Sequence, residues 1–242
     1  MQPHGTPCWI DIQTDVSRAK DFYGAVMGWT FKPVVGAAGW VMGMDRDQPV
    51  AAIGPGEPRD WLVFLHVSDI ESATEAMVAA GGDLAVPPGD VGKLGKAAIF
   101  DDPGGTPVAL WQPGTHKGFT ITGNPGTPVW FELNSHKGEL VRDFFSKSMG
   151  LEAQPMPGPM TYFTLHAEGR PRYGVMQVQE ARVAEQSAWI VYFQSPEVDA
   201  KAEQVKALGG QVLAGPFDSP FGRIAVCTDP MGTRFMLIRS AT

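Results

Sequence analysis

The stretch WIDIQ at residues 9–13 decides the fold, because a second version of it, WFELN, occurs at residues 130–134. Each version leads to a pair of aromatic residues and then to Met-Gly, at 27–28 and at 149–150. Three further segments recur in the same order: WLVFL at 61–65 with WIVYF at 189–193, AAGG at 79–82 with ALGG at 207–210, and DPGGT at 102–106 with DPMGT at 229–233. An ordered internal repeat of this kind indicates two copies of one architecture.

The repeat divides the 242 residues into two domains of ordinary size. We predict a first domain at 1–114, a linker at 115–127 and a second domain at 128–242. A hydrophobic content of 43% is enough for two packed cores, and 29 Gly with 21 Pro indicate many turns between short strands.

Charge and hydropathy exclude several classes of partner. The net charge is −7 and no basic run is present, which argues against nucleic acid and against an anionic membrane surface. No apolar run approaches the ~18 residues of a membrane span, and the first residues lack the pattern of a signal peptide. We therefore expect a cytoplasmic protein. We expect it to be either a monomer, in which the two copies of the repeat form an intramolecular pseudo-dimer, or a homodimer. Cys8 and Cys227 are not equivalent in the repeat, so a disulfide is not expected.

The periodicity of each copy predicts the same succession of elements. Residues 9–13 alternate in polarity like a half-buried strand, and apolar residues then recur at helical spacing until Gly28. Short strands bounded by Gly and Pro follow, and a second unit begins at residue 61. The sequence thus predicts four βαβββ modules, two in each domain, and an α+β fold in which each domain is a curved, eight-stranded mixed sheet around a cleft.

This organisation resembles the vicinal oxygen chelate superfamily, which includes glyoxalase I, bleomycin-resistance proteins and extradiol dioxygenases. The landmarks are the Phe-Tyr helix end with its Gly28, the Ala-Gly-Gly helix exit at 80–82, and the Asp-Pro-x-Gly turn before the last strand of each domain. The tandem arrangement is similar to a two-domain branch described as glyoxalase-like or hydroxylase-like. The fold hosts lyases, dioxygenases, isomerases and pure binders, so it does not fix the function.

The resemblance also implies where metal ligands would lie. In metal-dependent members they project from the first, fifth and eighth strands, which in this sequence places Trp9, Leu62 and Ala109 at those positions in the first domain. The second domain has Trp130, Ile190 and Met236 there. None of these side chains offers the imidazole or carboxylate that a divalent ion prefers. We therefore predict no metal and no cofactor.

Strand alternation then predicts what the clefts offer instead. Asp11 and Glu132 are the predicted catalytic carboxylates, because a carboxylate is rarely buried without a partner or a purpose. The predicted ligand-binding residues are Trp9, Gln13, Phe64, His66, Trp111, Trp130, Asn134, Tyr192, Gln194 and Met236. This set is mostly apolar with few polar groups, as in a typical small-molecule pocket.

Three functions remain open at this point. The first is a protein that binds a small, largely apolar or aromatic molecule without a metal. The second is a glyoxalase-like lyase, an isomerase or a hydroxylase-like enzyme in which Asp11 or Glu132 is the general base. The third is a structural role, in which Trp9 and Trp130 fill the clefts and the carboxylates form structural hydrogen bonds or salt bridges. If both clefts are open, we predict that ligand binding depends on pH only in the cleft of the first domain, because His66 lies there.

Overall fold

A computed structural model of the chain describes residues 2–179 and 187–241. In order, the elements of this part are β1 (Pro7–Thr14), α1 (Val16–Met27), β2 (Thr30–Pro33), β3 (Val41–Asp45), β4 (Gln48–Pro55), β5 (Leu62–His66), α2 (Ile70–Ala79), β6 (Asp83–Val91), β7 (Gly95–Asp101), β8 (Pro107–Pro113), β9 (Pro128–Ser135), α3 (Gly138–Met149), β10 (Glu152–Pro155), β11 (Tyr162–Ala167), β12 (Arg170–Gln177), β13 (Ala188–Gln194), α4 (Val198–Ala207), β14 (Gln211–Ser219), β15 (Gly222–Thr228) and β16 (Arg234–Ser240). This order confirms the four βαβββ modules.

The strands form two eight-stranded mixed sheets with the same internal order. The first is β2-β3-β4-β1-β5-β8-β7-β6 and the second is β10-β11-β12-β9-β13-β16-β15-β14. In each module the first strand pairs in parallel with the last, as β1 does with β4, and the second, third and fourth strands pair antiparallel, as β2 does with β3 and β3 with β4. The α+β fold with two tandem sheets is therefore as predicted.

The chain forms two compact units. Unit 1 comprises Met1–Trp9, Leu62–Gly118 and Phe131–Trp189, and unit 2 comprises Ile10–Trp61, Phe119–Trp130 and Ile190–Thr242. Within unit 1, α2 packs against α3, and within unit 2, α1 packs against α4. Each unit thus contains one module from each copy of the repeat. The boundaries of the sequence domains, at 114 and 128, stay a prediction.

The helices begin and end at residues that the sequence marks. Asp15 caps α1 by accepting hydrogen bonds from the backbone N–H of Ser17 and Arg18, and Asp69 caps α2 in the same way. Gly28 ends α1 in the left-handed conformation at φ 79°, which a residue without Cβ adopts at little cost. No helix in the described part of the chain is long and apolar enough to span a membrane.

Aromatic side chains fix which face of each sheet carries the helices. In unit 1, Phe145 of α3 contacts Tyr173 and Trp189, with ring centroids 5.8 and 6.1 Å apart. In unit 2, Tyr23 of α1 contacts Phe235 at 6.2 Å. Because side chains alternate along a strand, the residues between these aromatics lie on the opposite face. That opposite face, here called the inner face, carries the predicted site residues.

Two strands extend beyond the predicted ranges. The sequence predicts strands at 83–86 and 211–214, whereas β6 and β14 continue to Val91 and Ser219. Pro and Gly in these stretches suggest turns, but they are accommodated by register shifts in the pairing with β7 and β15. A β-bulge leaves residues such as Pro and Gly unpaired while the strand continues, so these residues do not end β6 or β14.

Candidate functional site

The inner face of unit 1 carries an aromatic cluster around β5 and β8. Phe64 on β5 contacts Trp111 on β8 at a centroid distance of 6.1 Å, and both side chains are buried. Trp9, the last residue of the N-terminal segment that belongs to unit 1, is also buried. The structure therefore brings together three of the predicted ligand-binding aromatics in one unit.

His66 lies at the end of β5 under the N-terminal segment. Its backbone exchanges hydrogen bonds with Gly5 and Thr6, and its side chain is 4% exposed. Burial, together with the nearby His4, lowers the pKa of His66. Neither ring nitrogen has a hydrogen-bond partner among the described residues. The lowered pKa favours the neutral imidazole, and the pH-dependent binding predicted for His66 stays a prediction.

Sequence reasoning assigned His116 to a loop without a role, but the structure places it in this aromatic cluster. Its ring lies edge-on to Trp9 at a centroid distance of 4.3 Å and contacts Trp111 at 5.7 Å. The Trp111 Nε1–H donates a hydrogen bond to the His116 carbonyl over 3.1 Å. The signal in the sequence was weak: Gly114 and Gly118 on either side permit the chain to turn back.

The inner face of unit 2 carries Asp11 on β1. Asp11 pairs in register with Ala52 of β4, which pairs with Met42 of β3, so the three side chains lie side by side on one face. The side chain is 12% exposed, and its Oδ1 has no hydrogen-bond partner among the described residues. Arg59 Nη2 lies 3.9 Å from this oxygen.

Desolvation dominates the electrostatics of Asp11. Burial raises its pKa to about 7, and the guanidinium of Arg59 opposes this shift. Arg59 is held in place by its neighbours: its carbonyl accepts a hydrogen bond from Thr233 Oγ1 at 3.0 Å, and Asp60 forms an ion pair with Arg234 at 2.6 Å. No local pattern in the sequence indicates Arg59, because the contact joins residues far apart in the chain.

A tryptophan and an amide border the same face. Gln13, two residues after Asp11, pairs in register with Gly54 of β4. A Cβ at Gly54 would collide with the indole ring of Trp40. Trp40 therefore lies directly on the backbone of Gly54 and beside Gln13, which makes it a wall of the inner face that sequence reasoning missed.

Glu132 and Asn134 occupy the equivalent positions on β9, in unit 1. Both side chains are 4% exposed. Glu132 pairs in register with Gly174, and a Cβ there would collide with the phenol of Tyr162. Tyr162 thus covers Gly174 as Trp40 covers the backbone in the other copy of this module. The two glycines are not equivalent in the repeat, because Gly174 corresponds to Ala52 and Gly54 corresponds to Met176.

The last predicted residues lie in unit 2. Tyr192 on β13 pairs in register with Met236 on β16, and Trp130 is half-buried. Gln194 is engaged structurally, because its Oε1 accepts a hydrogen bond from Ser240 Oγ at 2.9 Å and its backbone bonds Gly126 and Thr127. The amide of Gln194 therefore already has a protein partner on this face.

Two further buried carboxylates, Asp102 and Asp229, form the Asp-Pro-x-Gly turns. In each, Oδ1 accepts hydrogen bonds from backbone N–H groups of the turn, over 2.7 to 3.0 Å. Tyr23 of α1 also donates a hydrogen bond to Asp229 Oδ2 at 3.1 Å. Asp102 Oδ2 has no such partner among the described residues, and burial raises the pKa of Asp102 to about 6. These carboxylates are structural.

The residues at the family's metal-ligand positions do not fit a metal ion. Trp9, Leu62 and Ala109 all lie in unit 1 and are buried, and Trp130, Ile190 and Met236 all lie in unit 2. Indole, aliphatic and thioether side chains do not bind the hard or borderline divalent ions that take imidazole and carboxylate. Among the described residues, no group of three or more His, Cys, Asp or Glu stands together.

Comparisons with known sequences agree with this architecture. Residues 130–238 match a model described as a glyoxalase-like domain, and residues 12–110 match that of the glyoxalase/bleomycin resistance protein/dioxygenase superfamily. The chain is 36% identical to CFP32 of Mycobacterium bovis, named as a proposed glyoxylase, over 98% of this chain and 95% of that protein. It is 32% identical to the anthracycline biosynthesis protein DnrV of Streptomyces peucetius, over 97% of this chain and 93% of that protein.

Solved structures show the same fold at low sequence identity. The Mn(II)-bound glyoxalase from Novosphingobium aromaticivorans is 15% identical with a TM-score of 0.70, and the match covers 99% of this chain and 83% of that one. The 2,3-dioxygenase LapB from Pseudomonas sp. KL28 is 16% identical with a TM-score of 0.71, and the match covers 100% and 94%. The chain therefore belongs to the glyoxalase/bleomycin resistance protein/dioxygenase superfamily, that is, the vicinal oxygen chelate superfamily, as a tandem two-domain member.

Proposed function

We propose that this protein binds a small, largely apolar or aromatic molecule on the inner faces of its sheets, without a metal, and that Asp11 anchors the ligand in unit 2. One observation carries the proposal. Asp11 is a buried carboxylate whose Oδ1 lacks a hydrogen-bond partner among the described residues, and Arg59 lies no closer than an ion-pair distance of 3.9 Å. The structural carboxylate Asp102 also has one oxygen without a partner among these residues, but its other oxygen accepts two backbone hydrogen bonds, whereas Asp11 Oδ1 meets only the guanidinium of Arg59. A purely structural buried carboxylate would be expected to be hydrogen-bonded.

The surroundings of Asp11 support the apolar character of the ligand. Ala52 lies beside Asp11 on the next strand and Met42 lies beyond it, and the ring of Trp40 lies on Gly54, two residues after Ala52. Gln13 adds one amide at the edge of this surface. A mostly apolar wall with a few polar groups is typical of a site that buries a small molecule and orients it by one or two hydrogen bonds.

The names of two relatives favour an aromatic ligand. DauV and DnrV, which are each 32% identical to this chain, are named for anthracycline biosynthesis. Anthracyclines are planar, polycyclic aromatic molecules with hydroxyl groups, and a hydroxyl could donate to Asp11 while the rings pack on Trp40 and Met42. We therefore choose a hydroxylated polycyclic aromatic as the first probe.

The experiment is calorimetric titration of the full chain with an anthracycline aglycone. We expect saturable binding, and we expect the Asp11→Asn variant to lose about 1–3 kcal/mol of binding free energy, as for a hydrogen bond to a charged group. Asp21→Asn is the matched control, because Asp21 lies on the exposed side of α1 in the same unit. Binding that is unchanged in Asp11→Asn would remove Asp11 from the site.

The metal-free part of the proposal has its own test. The residues at the ligand positions lack suitable donor atoms, so elemental analysis of the purified protein should find no stoichiometric Mn, Fe, Ni or Zn. One ion of any of these per chain would contradict the proposal. Addition of the same ions should also leave the affinity for the aglycone unchanged.

A second candidate is an enzyme that uses Asp11 or Glu132 as general base. The observation that favours it is the pKa of Asp11, about 7, because a base works best when its pKa lies near the working pH. The relative CFP32 is named as a proposed glyoxylase, so the hemithioacetal of methylglyoxal and a thiol is the substrate to test. Turnover should fall roughly 100-fold or more in Asp11→Asn or Glu132→Gln, as for loss of a general base.

A further inference from the structure

The segment Gly114–Gly118, here called the strap, lies against the turn between β6 and β7 in unit 1. The N–H groups of Gly114 and His116 donate to the carbonyl of Leu94 over 2.8 and 3.1 Å, and that of Thr115 donates to Lys93 over 2.9 Å. These three backbone hydrogen bonds fix the path of the strap without using the side chain of His116.

The glycines at both ends let the strap approach the sheet closely. A Cβ at Gly114 would lie 2.6 Å from the Lys93 carbonyl oxygen. A Cβ at Gly118 would collide with the carbonyl of Cys8 on β1, and Gly118 also has φ 86°, which other residues rarely adopt. The strap is therefore built to run in contact with the strands.

The ring of His116 fills a slot between two indoles. It lies at 4.3 Å from Trp9 with an interplanar angle of 85°, and at 5.7 Å from Trp111 with an angle of 65°. Its Nε2 is buried and has no hydrogen-bond partner among the described residues. Burial lowers the pKa of His116 to about 4, so the ring occupies the slot as neutral imidazole.

We propose that the strap is a displaceable plug, in which the imidazole of His116 occupies the Trp9–Trp111 slot until a small planar aromatic or azole ring takes its place. The unsatisfied Nε2 makes the imidazole a poor occupant, because a buried polar atom without a partner costs free energy. A carbocyclic ring would make the same edge-on contacts without that cost. On both sides of His116, Thr115 and Lys117 are exposed. Displacement of His116 breaks the hydrogen bonds of the strap to Lys93, Leu94 and Trp111 and uncovers the two indoles, which the incoming ring then covers.

This inference rests on the proposed function, since it concerns which inner face is open to a ligand. Its test does not depend on Asp11 or on the natural ligand. The failure of either idea can therefore be recognised separately.

The first experiment removes the plug and supplies a free ring. The full chain with His116→Gly should bind phenol at least tenfold more tightly than the wild type, measured by calorimetry, because no imidazole has to be displaced. His136→Gly is the matched control, because His136 is a half-buried histidine elsewhere in unit 1. Equal affinity in His116→Gly and the wild type would overturn the proposal.

The second experiment uses the wild type, in case the glycine variant does not fold. In a histidine-labelled protein, NMR should find the His116 ring resonances shifted upfield by the two indoles and not titrating above pH 5. Saturation with phenol should move them to ordinary positions and restore titration near the unperturbed pKa of ~6.5. A His116 ring that titrates near 6.5 in the free protein, or that stays upfield at saturating phenol, would refute the plug.

Discussion

The substitution Asp11→Asn should stabilise the protein in a way that depends on pH. Burial raises the pKa of Asp11 from its ordinary value of 3.8 to about 7, with Arg59 already opposing the shift. At 1.36 kcal/mol for each pKa unit, this difference corresponds to about 4 kcal/mol. A carboxyl group whose pKa is raised on folding stabilises the native state fully below pH 3.8, and this contribution is lost as the pH rises to 7.

The asparagine variant cannot titrate at this position. Its advantage in free energy of unfolding should therefore be near zero at pH 4, grow by about 1.4 kcal/mol per pH unit, and level off above pH 7. At 2–4 °C for each kcal/mol in a chain of this size, the full effect is a rise in Tm of at most ~8–16 °C.

The assay is urea denaturation of wild type and variant at several pH values between 4.5 and 8.5, with Asp21→Asn as control. Asp21 lies on the exposed surface of α1, so its substitution should give no such trend. An advantage of Asp11→Asn that does not change between pH 4.5 and 7 would refute the argument, because it would show that Asp11 keeps an ordinary pKa in the folded protein.

Three more predictions test the packing and the site. Tyr23→Phe should cost about 1–3 kcal/mol in urea denaturation, because Asp229 Oδ2 loses its donor; an unchanged midpoint would mean that the bond contributes nothing. Gly54→Ala should cost about 1–3 kcal/mol, because the new methyl collides with Trp40, whereas the methyl of Gly89→Ala makes only an ordinary contact, 3.9 Å from the Pro87 carbonyl oxygen, and should be close to neutral. Soaking the protein with Mn(II) or Zn(II) and removing the excess should leave no bound ion, and its Tm should not change.

The repeat made much of the fold accessible from the sequence. Corresponding segments such as 9–13 and 130–134 predicted the module. Alternation along those strands predicted which side chains lie on the face of the sheet opposite the helices. Both signals are local, because the period of a strand and the cap of a helix depend on residues a few positions apart. The substitution of Trp9 and Trp130 at the family's metal-ligand positions could also be read from the sequence alone.

Tertiary structure decided the parts that depend on distant residues. The sequence marked Asp11 as a candidate, but its raised pKa follows from burial, which outweighs the opposing effect of Arg59 at 3.9 Å. The sequence marked His66 as a titrating group, but the direction of its pKa shift, which is downward, follows from burial and from the nearby His4. A pKa is set by surroundings assembled from several elements, and these have no local pattern.

The same reason explains His116 and the compact units. Nothing near His116 in the chain indicates that its ring meets Trp9, since the contact needs the strap to fold back over the first strand. The repeat likewise predicts modules but not that each unit combines one module from each copy. The sequence alone determined the elements, their order and the two faces of each strand. Only the packing of distant segments determined which buried polar groups have partners, because a hydrogen bond or ion pair across the fold depends on the three-dimensional position of both groups.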